Sequence, residues 1–190
     1  MNDRNSNRLA GKTIAILSTD GFEQSELDSP KATLSARGAE VHVIAPEEGS
    51  IRGWDEDDWG DEVDVDVKLA DADPDIYDAL VLPGGLFNPD SLRRNEDALD
   101  FVRAMWKRKV PVAAICHGPW TLVDAGLVEG KTMTSYPTIQ TDLKNAGAAW
   151  RDEEVVEDGQ LITSRSPEDL EAFNDAITEA LSRQAIRKAS

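Results

Sequence analysis

Val110-Pro-Val-Ala-Ala-Ile-Cys-His-Gly-Pro-Trp120 reads as an apolar strand that runs straight into a nucleophile and the start of a helix. Val110 to Ile115 carry no charge and no polar alternation, the pattern of a strand buried on both faces. Cys116-His-Gly118 turns the chain, and Pro119 suits the first position of a helix, where no backbone N–H is needed. A buried strand followed by a helix is the unit from which parallel sheets covered on both faces are built.

The same unit recurs outward from this stretch. Toward the N-terminus, Thr13-Ile-Ala-Ile-Leu17 is a short apolar run ending at Ser18-Thr-Asp-Gly21. Glu23 to Arg37 is helical in composition, with Pro30 expected to break it into a turn and a longer helix, and Gly38 to close it. Val41 to Ile44 is a second strand. Val63, Val65, Val67 and Leu69 alternate with Asp64, Asp66 and Lys68, as in a strand with one wet face. Ala79 to Leu82 is a buried strand stopping at Pro83-Gly-Gly85, and Ala98, Phe101, Val102 and Met105 mark one side of a helix.

Toward the C-terminus, Lys131 to Tyr136 predicts a strand, Thr138 to Ala146 a helix, and Glu157-Asp-Gly159 the turn of a hairpin. Ser166-Pro-Glu-Asp169 predicts a helix start with Ser166 as cap, Pro167 behind it and Asp169 completing a capping box. Leu170, Phe173, Ile177 and Leu181 form that helix's apolar stripe. No repeat or linker interrupts the pattern. The reading is a polar tail over residues 1–11 and one α/β domain over 12–187.

Composition narrows the function. The chain has 190 residues, 40% hydrophobic and 30% charged, as a globular chain does. Its 37 acids against 20 bases give a formal charge of -17, which repels nucleic acid and anionic lipid, so neither is an expected partner. Twelve acids and one lysine fall between Asp55 and Asp78. That segment reads as a solvated acidic coat of the halophilic type or as a docking surface for a cation. Asp55-Glu-Asp-Asp-Trp-Gly60 is only superficially a calcium loop, because Trp59 stands at a ligand position and Asp66 at the twelfth. No apolar run approaches the roughly 20 residues of a membrane span. Met1 to Arg8 lacks the apolar stretch of a secretory signal, so a cytoplasmic location is expected. One cysteine allows no intrachain disulfide. Two histidines, His42 and His117, without metal-ligand spacing leave no metal or cofactor expected.

In open α/β sheets the site lies beyond the carboxyl ends of the strands. Three segments fall there: Asp20 to Glu23, Pro83 to Asp90, and Cys116 to Trp120. A lone cysteine is usually a small buried hydrophobe. Cys116, however, sits in Ala114-Ile-Cys-His-Gly118, a corner like the elbow of serine hydrolases with Ala114 for the first glycine. Such a corner presents the sulfur, sets a helix N-terminus behind the thiolate, and aims backbone N–H groups at the reacting centre. His117 is a candidate base or a helix-start histidine satisfied by backbone, and His42 is read as structural. Glu23 is a candidate partner of the thiol or a helix-dipole acid. Pro83-Gly-Gly85 offers two unhindered N–H groups or a plain strand-ending turn.

Asp20-Gly-Phe-Glu23, Leu82-Pro-Gly-Gly85, Ala114-Ile-Cys-His-Gly-Pro119, Thr134-Ser-Tyr-Pro137 and Asn145-Ala-Gly147, in this order, closely resemble the PfpI/ThiJ family. These proteins are relatives of class I glutamine amidotransferases. The resemblance implies a flavodoxin-like three-layer sandwich with a mainly parallel central sheet, and homodimers or higher rings. It implies Cys116 as nucleophile, Glu23 touching the thiol, and His117 as its partner, oriented by Asp90 from a neighbouring subunit. Asp90 is a shorter acid than the glutamate some members carry. Gly84, Gly85, Tyr136 and Trp120 would line the pocket, with the Gly85 and His117 N–H groups as oxyanion hole. A true amidotransferase is excluded, because Ser166-Pro-Glu168 stands where those enzymes carry His-Pro-Glu.

The implied activity is attack of Cys116 on the carbonyl carbon of a reactive dicarbonyl or its adduct on a protein amine, as in glyoxalases and deglycases. A peptidase acting on peptides is the alternative. The non-enzymatic readings are a thiol-based oxidative-stress sensor and a chaperone.

Overall fold

The computed structural model describes residues 7–188, and the apolar runs become the middle of one sheet. In chain order the strands and helices are β1 (Thr13–Leu17), β2 (Phe22–Glu23), α1 (Gln24–Ala36), β3 (Glu40–Ala45), β4 (Ser50–Asp55), β5 (Asp58–Asp64), β6 (Val67–Lys68), β7 (Ala79–Leu82), α2 (Phe87–Leu92) and α3 (Glu96–Lys107). There follow β8 (Val112–Ile115), α4 (Pro119–Asp124), β9 (Thr132–Met133), α5 (Gln140–Asn145), β10 (Ala149–Trp150), β11 (Val155–Asp158), β12 (Leu161–Ser164) and α6 (Leu170–Lys188).

The main sheet has seven strands in the order β11-β12-β8-β7-β1-β3-β6. Every pairing in it is parallel except β11 with β12. Strand side chains alternate between two cores. Ile14, Ile16, Ala79, Val81, Ala113 and Ile115 pack against Leu27 and Leu34 of α1 and Phe173, Ile177 and Leu181 of α6. Ala15, Leu17, Leu80, Leu82, Val112 and Ala114 pack against α2 to α5 through Leu92, Phe101, Met105, Leu122 and Leu143. Each fully buried large side chain contributes roughly 1.5–3 kcal/mol, which is why these runs carry no polar alternation. The expected three-layer α/β sandwich is what the chain forms.

Several local expectations are corrected. Pro30 does not break α1, which runs from Gln24 to Ala36 with Pro30 inside it. The missing N–H leaves the Glu26 carbonyl without its usual helical partner, but Leu27, Pro30 and Leu34 are buried together, and that packing outweighs the lost bond. The Val63–Leu69 alternation belongs to two strands rather than one. Val63 pairs with Ile51 in a hairpin of β4 and β5, whereas Val67 pairs with Ile44 in the main sheet. Asp66 marks the break, its carboxylate accepting from the Val43 N–H at 2.7 Å. The stretch from Lys131 to Tyr136 yields only the two-residue β9.

Ser166 makes no side-chain cap. Instead Asp169 reaches back to the Arg165 N–H (3.2 Å) and guanidinium (2.9 Å), and a 3-10 turn precedes α6. Leu9 is buried and its N–H donates to Arg37 O at 2.8 Å, so the packed body begins before residue 12. The N-terminal signal reading falls largely on residues 1–6, outside the described residues. Among those described, no helix is long and apolar enough to cross a membrane.

Candidate active site

The site forms where β8 meets α4. Cys116 has φ +61, one of three non-glycine residues at positive φ among the described residues. That conformation costs any residue with a Cβ roughly 1–2 kcal/mol and needs surroundings that enforce it. They do: the Cys116 N–H donates to Ser164 O (3.1 Å) and its carbonyl accepts from the Tyr136 N–H (2.9 Å). Gly118 makes the corner possible, because a Cβ there would stand 2.5 Å from Leu82 O. The thiol is free and nearly buried, 7% exposed.

The carboxylate at the thiol is Glu26, not Glu23. Glu26 Oε2 accepts from the Gly84 N–H at 2.8 Å, and the carboxyl interacts with the Cys116 thiol. Glu23 lies three residues earlier, half-buried on the wall of the same cavity. Sequence reasoning missed Glu26, although a signal existed: it shares the buried face of α1 with Leu27, Pro30 and Leu34, an acid in an apolar stripe. Burial pushes the Glu26 carboxyl up to about 8, against the opposing Gly84 hydrogen bond. Burial also pushes the thiol above its ordinary value, and a charged Glu26 adds to that. The Gly85 and His117 N–H groups work the other way by bonding to the sulfur.

Asn88, absent from the expected set, holds the Pro-Gly-Gly loop. Its amide donates to Pro83 O (2.9 Å) and Gly84 O (3.2 Å), while its carbonyl oxygen accepts from the Thr19 N–H (2.9 Å). Gly85, at φ +79, passes so close to Gly21 that a Cβ would meet its carbonyl oxygen at 2.4 Å. Gly84 stands behind the thiol as the anchor of Glu26 and does not line the cavity.

His117 faces the thiol despite being its sequence neighbour, with Nδ1 3.2 Å from Sγ. Its Nε2 lies 3.3 Å from Thr138 Oγ1, a residue not singled out from the sequence. The ring stacks on Tyr136 (5.0 Å, 27°) and meets the edge of Trp120 (5.1 Å). Burial lowers its pKa and so favours the neutral imidazole. Trp120 supports this ring from behind and is not part of the cavity lining; its indole N–H donates to Asp142 at 2.8 Å. Asp90 is exposed on α2, away from the cavity of its own chain. His42 pairs with Tyr77 and Glu40 on β3, away from the site.

The cavity over Cys116 measures ≈ 520 Å³ and is roofed by an element the sequence did not disclose. Pairing of Glu23 with Trp54 docks the β4–β5 hairpin beside the nucleophile. Trp54, Trp59 and Phe87 then form an aromatic cluster with centroids 5.5–6.3 Å apart. Glu56, at the hairpin tip with φ +54, lines the cavity, and its carbonyl accepts from the Trp54 indole at 2.9 Å. Among the described residues no cluster of His, Cys, Asp and Glu could hold a metal ion.

Residues 12–180 match the DJ-1/PfpI family model. The chain is 46% identical over 160 residues to deglycase TK1284 of Thermococcus kodakarensis, covering 84% of this chain and 93% of that one. It is 44% identical over 164 residues to YraA of Bacillus subtilis, a candidate cysteine protease, covering 86% and 94%. Among solved structures, DJ-1beta of Drosophila melanogaster superposes with a TM-score of 0.83 at 29% identity, covering 94% of this chain and 96% of that one. A two-domain Anabaena variabilis protein with DJ-1/ThiJ/PfpI-like and ferritin-like domains gives 0.83 at 36% identity over 90% of this chain, which spans 48% of it. With its elbow cysteine, its buried glutamate and these similarities along nearly the whole domain, the chain belongs to the DJ-1/PfpI family.

Proposed function

We propose that the chain is a cysteine-dependent hydrolase or lyase of the PfpI type, acting on reactive dicarbonyls or their adducts on amines. The observation that carries the reading is Cys116 at its strained corner, with Glu26 and His117 Nδ1 both against the thiol. Neutral His117 accepts the thiol proton, and the sulfur attacks the aldehyde carbon of a 2-oxoaldehyde. The carbonyl electrons move onto oxygen, where the Gly85 and His117 N–H groups stand to receive charge. Glu26, protonated until about pH 8, gives that oxygen its proton. The carboxylate so formed takes the proton from C1 and delivers it to C2, while the hydroxyl proton on the C1 oxygen passes to the C2 oxygen, leaving a thioester. Water cleaves it to the 2-hydroxy acid and the free thiol.

A roofed cavity of ≈ 520 Å³ over a nearly buried sulfur suits a small carbonyl compound better than a folded polypeptide. Peptide hydrolysis is the second reading, favoured by the likeness to YraA. The test is lactate formation from methylglyoxal by wild type and Cys116→Ala. Loss in the variant supports the reading, and equal rates sink it. We further propose that the chain self-associates, with Asp90 of one copy approaching His117 of another. A lone reactive thiol also fits the reducing cytoplasm.

A further inference from the structure

The charge around the cavity is one-sided. Glu23, Glu26 and Glu56 line it, and no lysine or arginine does. No salt bridge among the described residues neutralises any of the three, and the charges of Asp55 and Glu56 both act on Glu23. Glu26 Oε1 is fully buried without a hydrogen-bond partner. Glu23 and Glu56, without a counter-charge at a half-enclosed site, repel one another and leave a negative potential that a cation relieves.

The rings beside them favour the same ligand. Trp54 and Phe87 line the cavity, and indole and phenyl faces attract ammonium and guanidinium groups. The cluster already holds one such group: the Arg52 guanidinium lies 5.8 Å from the Trp59 ring centroid, outside the cavity. A small neutral dicarbonyl has no use for either feature.

We infer that Glu23 and Glu56, with Trp54 and Phe87, form a cation-selecting subsite beside Cys116, so that preferred substrates are carbonyl compounds or adducts carrying an ammonium or guanidinium group. This rests on Cys116 being the nucleophile. The hairpin tip is the specificity element. Its conformation at Glu56 is fixed by the Trp54 indole, which presents the carboxylate where a substrate's charged end would lie beyond the reacting carbon.

The test uses two thiol reagents of equal size and opposite charge, the trimethylammonium-ethyl and sulfonato-ethyl methanethiosulfonates. Their rates at Cys116 are each divided by the rate with 2-mercaptoethanol. The cationic reagent is expected to be favoured by roughly tenfold or more at low salt. Glu23→Gln and Glu56→Gln are each expected to cut that preference by about threefold or more, and Glu171→Gln, an equal charge change on α6, to leave it alone. A normalised ratio near one, or one that follows Glu171→Gln as closely as the two cavity variants, overturns the subsite while Cys116 remains reactive. Failure of both reagents to modify Cys116 at neutral pH overturns the nucleophile reading, and the subsite with it.

Discussion

Gly84 and Glu26 meet through one hydrogen bond, 2.8 Å from the glycine N–H to Oε2, and that bond seats a carboxyl against the nucleophile. One comes from the loop after β7 and the other from the first turn of α1, 58 positions apart. Neither alone has a reason to be where it is: Gly84 gives up a side chain, and Glu26 gives up water. Together they place a protonatable group next to a sulfur whose own ionisation burial opposes.

Replacing Glu26 by Gln therefore separates two roles. If the proton rests on Glu26 while sulfur ionises, the carboxylic acid is the stronger donor to the thiolate, and an amide is weaker. The thiolate fraction near neutral pH is expected to fall by roughly tenfold, which corresponds to about 1.4 kcal/mol. The pH profile of iodoacetamide alkylation reads it directly. A rise in reactivity would mean that Glu26 is charged in the wild type and repels the thiolate.

The same group imposes a pH dependence on stability. Glu26 is raised from its usual 4.5 to about 8, so between those values the folded state holds a proton that the unfolded chain has lost. Its contribution is complete below about 4.5, declines as pH rises, and is gone above about 8, a loss of a few kcal/mol. Urea unfolding of Cys116→Ala at pH 5 and pH 8 isolates it. The midpoint is expected to fall more in that variant than in Cys116→Ala/Glu26→Gln.

The sheet was legible because Ile14, Val81 and Val112 lie in continuous apolar runs, which only a strand covered on both faces tolerates. Cys116 was legible from its corner alone. The β4–β5 hairpin was not. Its second strand, β5, is acidic, with Trp54 and Trp59 as nearly the whole apolar content of the tip, and its address is set by β2 pairing with β4, a contact no local pattern encodes. Glu26 escaped for a related reason. The acid nearest the strand end drew attention, although the helical spacing with Leu27 and Leu34 marked the other one as buried.

Gly84→Ala tests how tightly the pair is built. A Cβ there would stand 2.6 Å from Glu26 Oε2, 2.7 Å from Cys116 Cβ and 2.9 Å from the His117 nitrogen. All three are backbone or short, well-held atoms, so the loop must move. The expected cost is about 1–3 kcal/mol in urea unfolding, with loss of methylglyoxal turnover. Gly159→Ala is the control. It sits in the β11–β12 turn at φ +67 with nothing within 4 Å of the new Cβ, so it should lose only the backbone cost of about 1–2 kcal/mol and keep turnover.

Among the described residues His117 Nε2 bonds only with Thr138, at 3.3 Å, while Asp90 stands exposed on α2. A trans arrangement makes a prediction that a monomer cannot meet. Cys116→Ala and Asp90→Ala should each be impaired alone, the first more than the second. In a mixed dimer, the Asp90→Ala chain supplies Cys116 and the Cys116→Ala chain supplies Asp90, so one of the two sites is complete. Random exchange makes half the dimers mixed, so co-refolding equal amounts should recover about a quarter of wild-type turnover per chain. Light scattering on the same samples reports whether dimers or larger rings have formed. Activity of the mixture that merely averages the two separate variants would assign the orientation of His117 to Thr138, and Thr138→Val would then carry the larger loss.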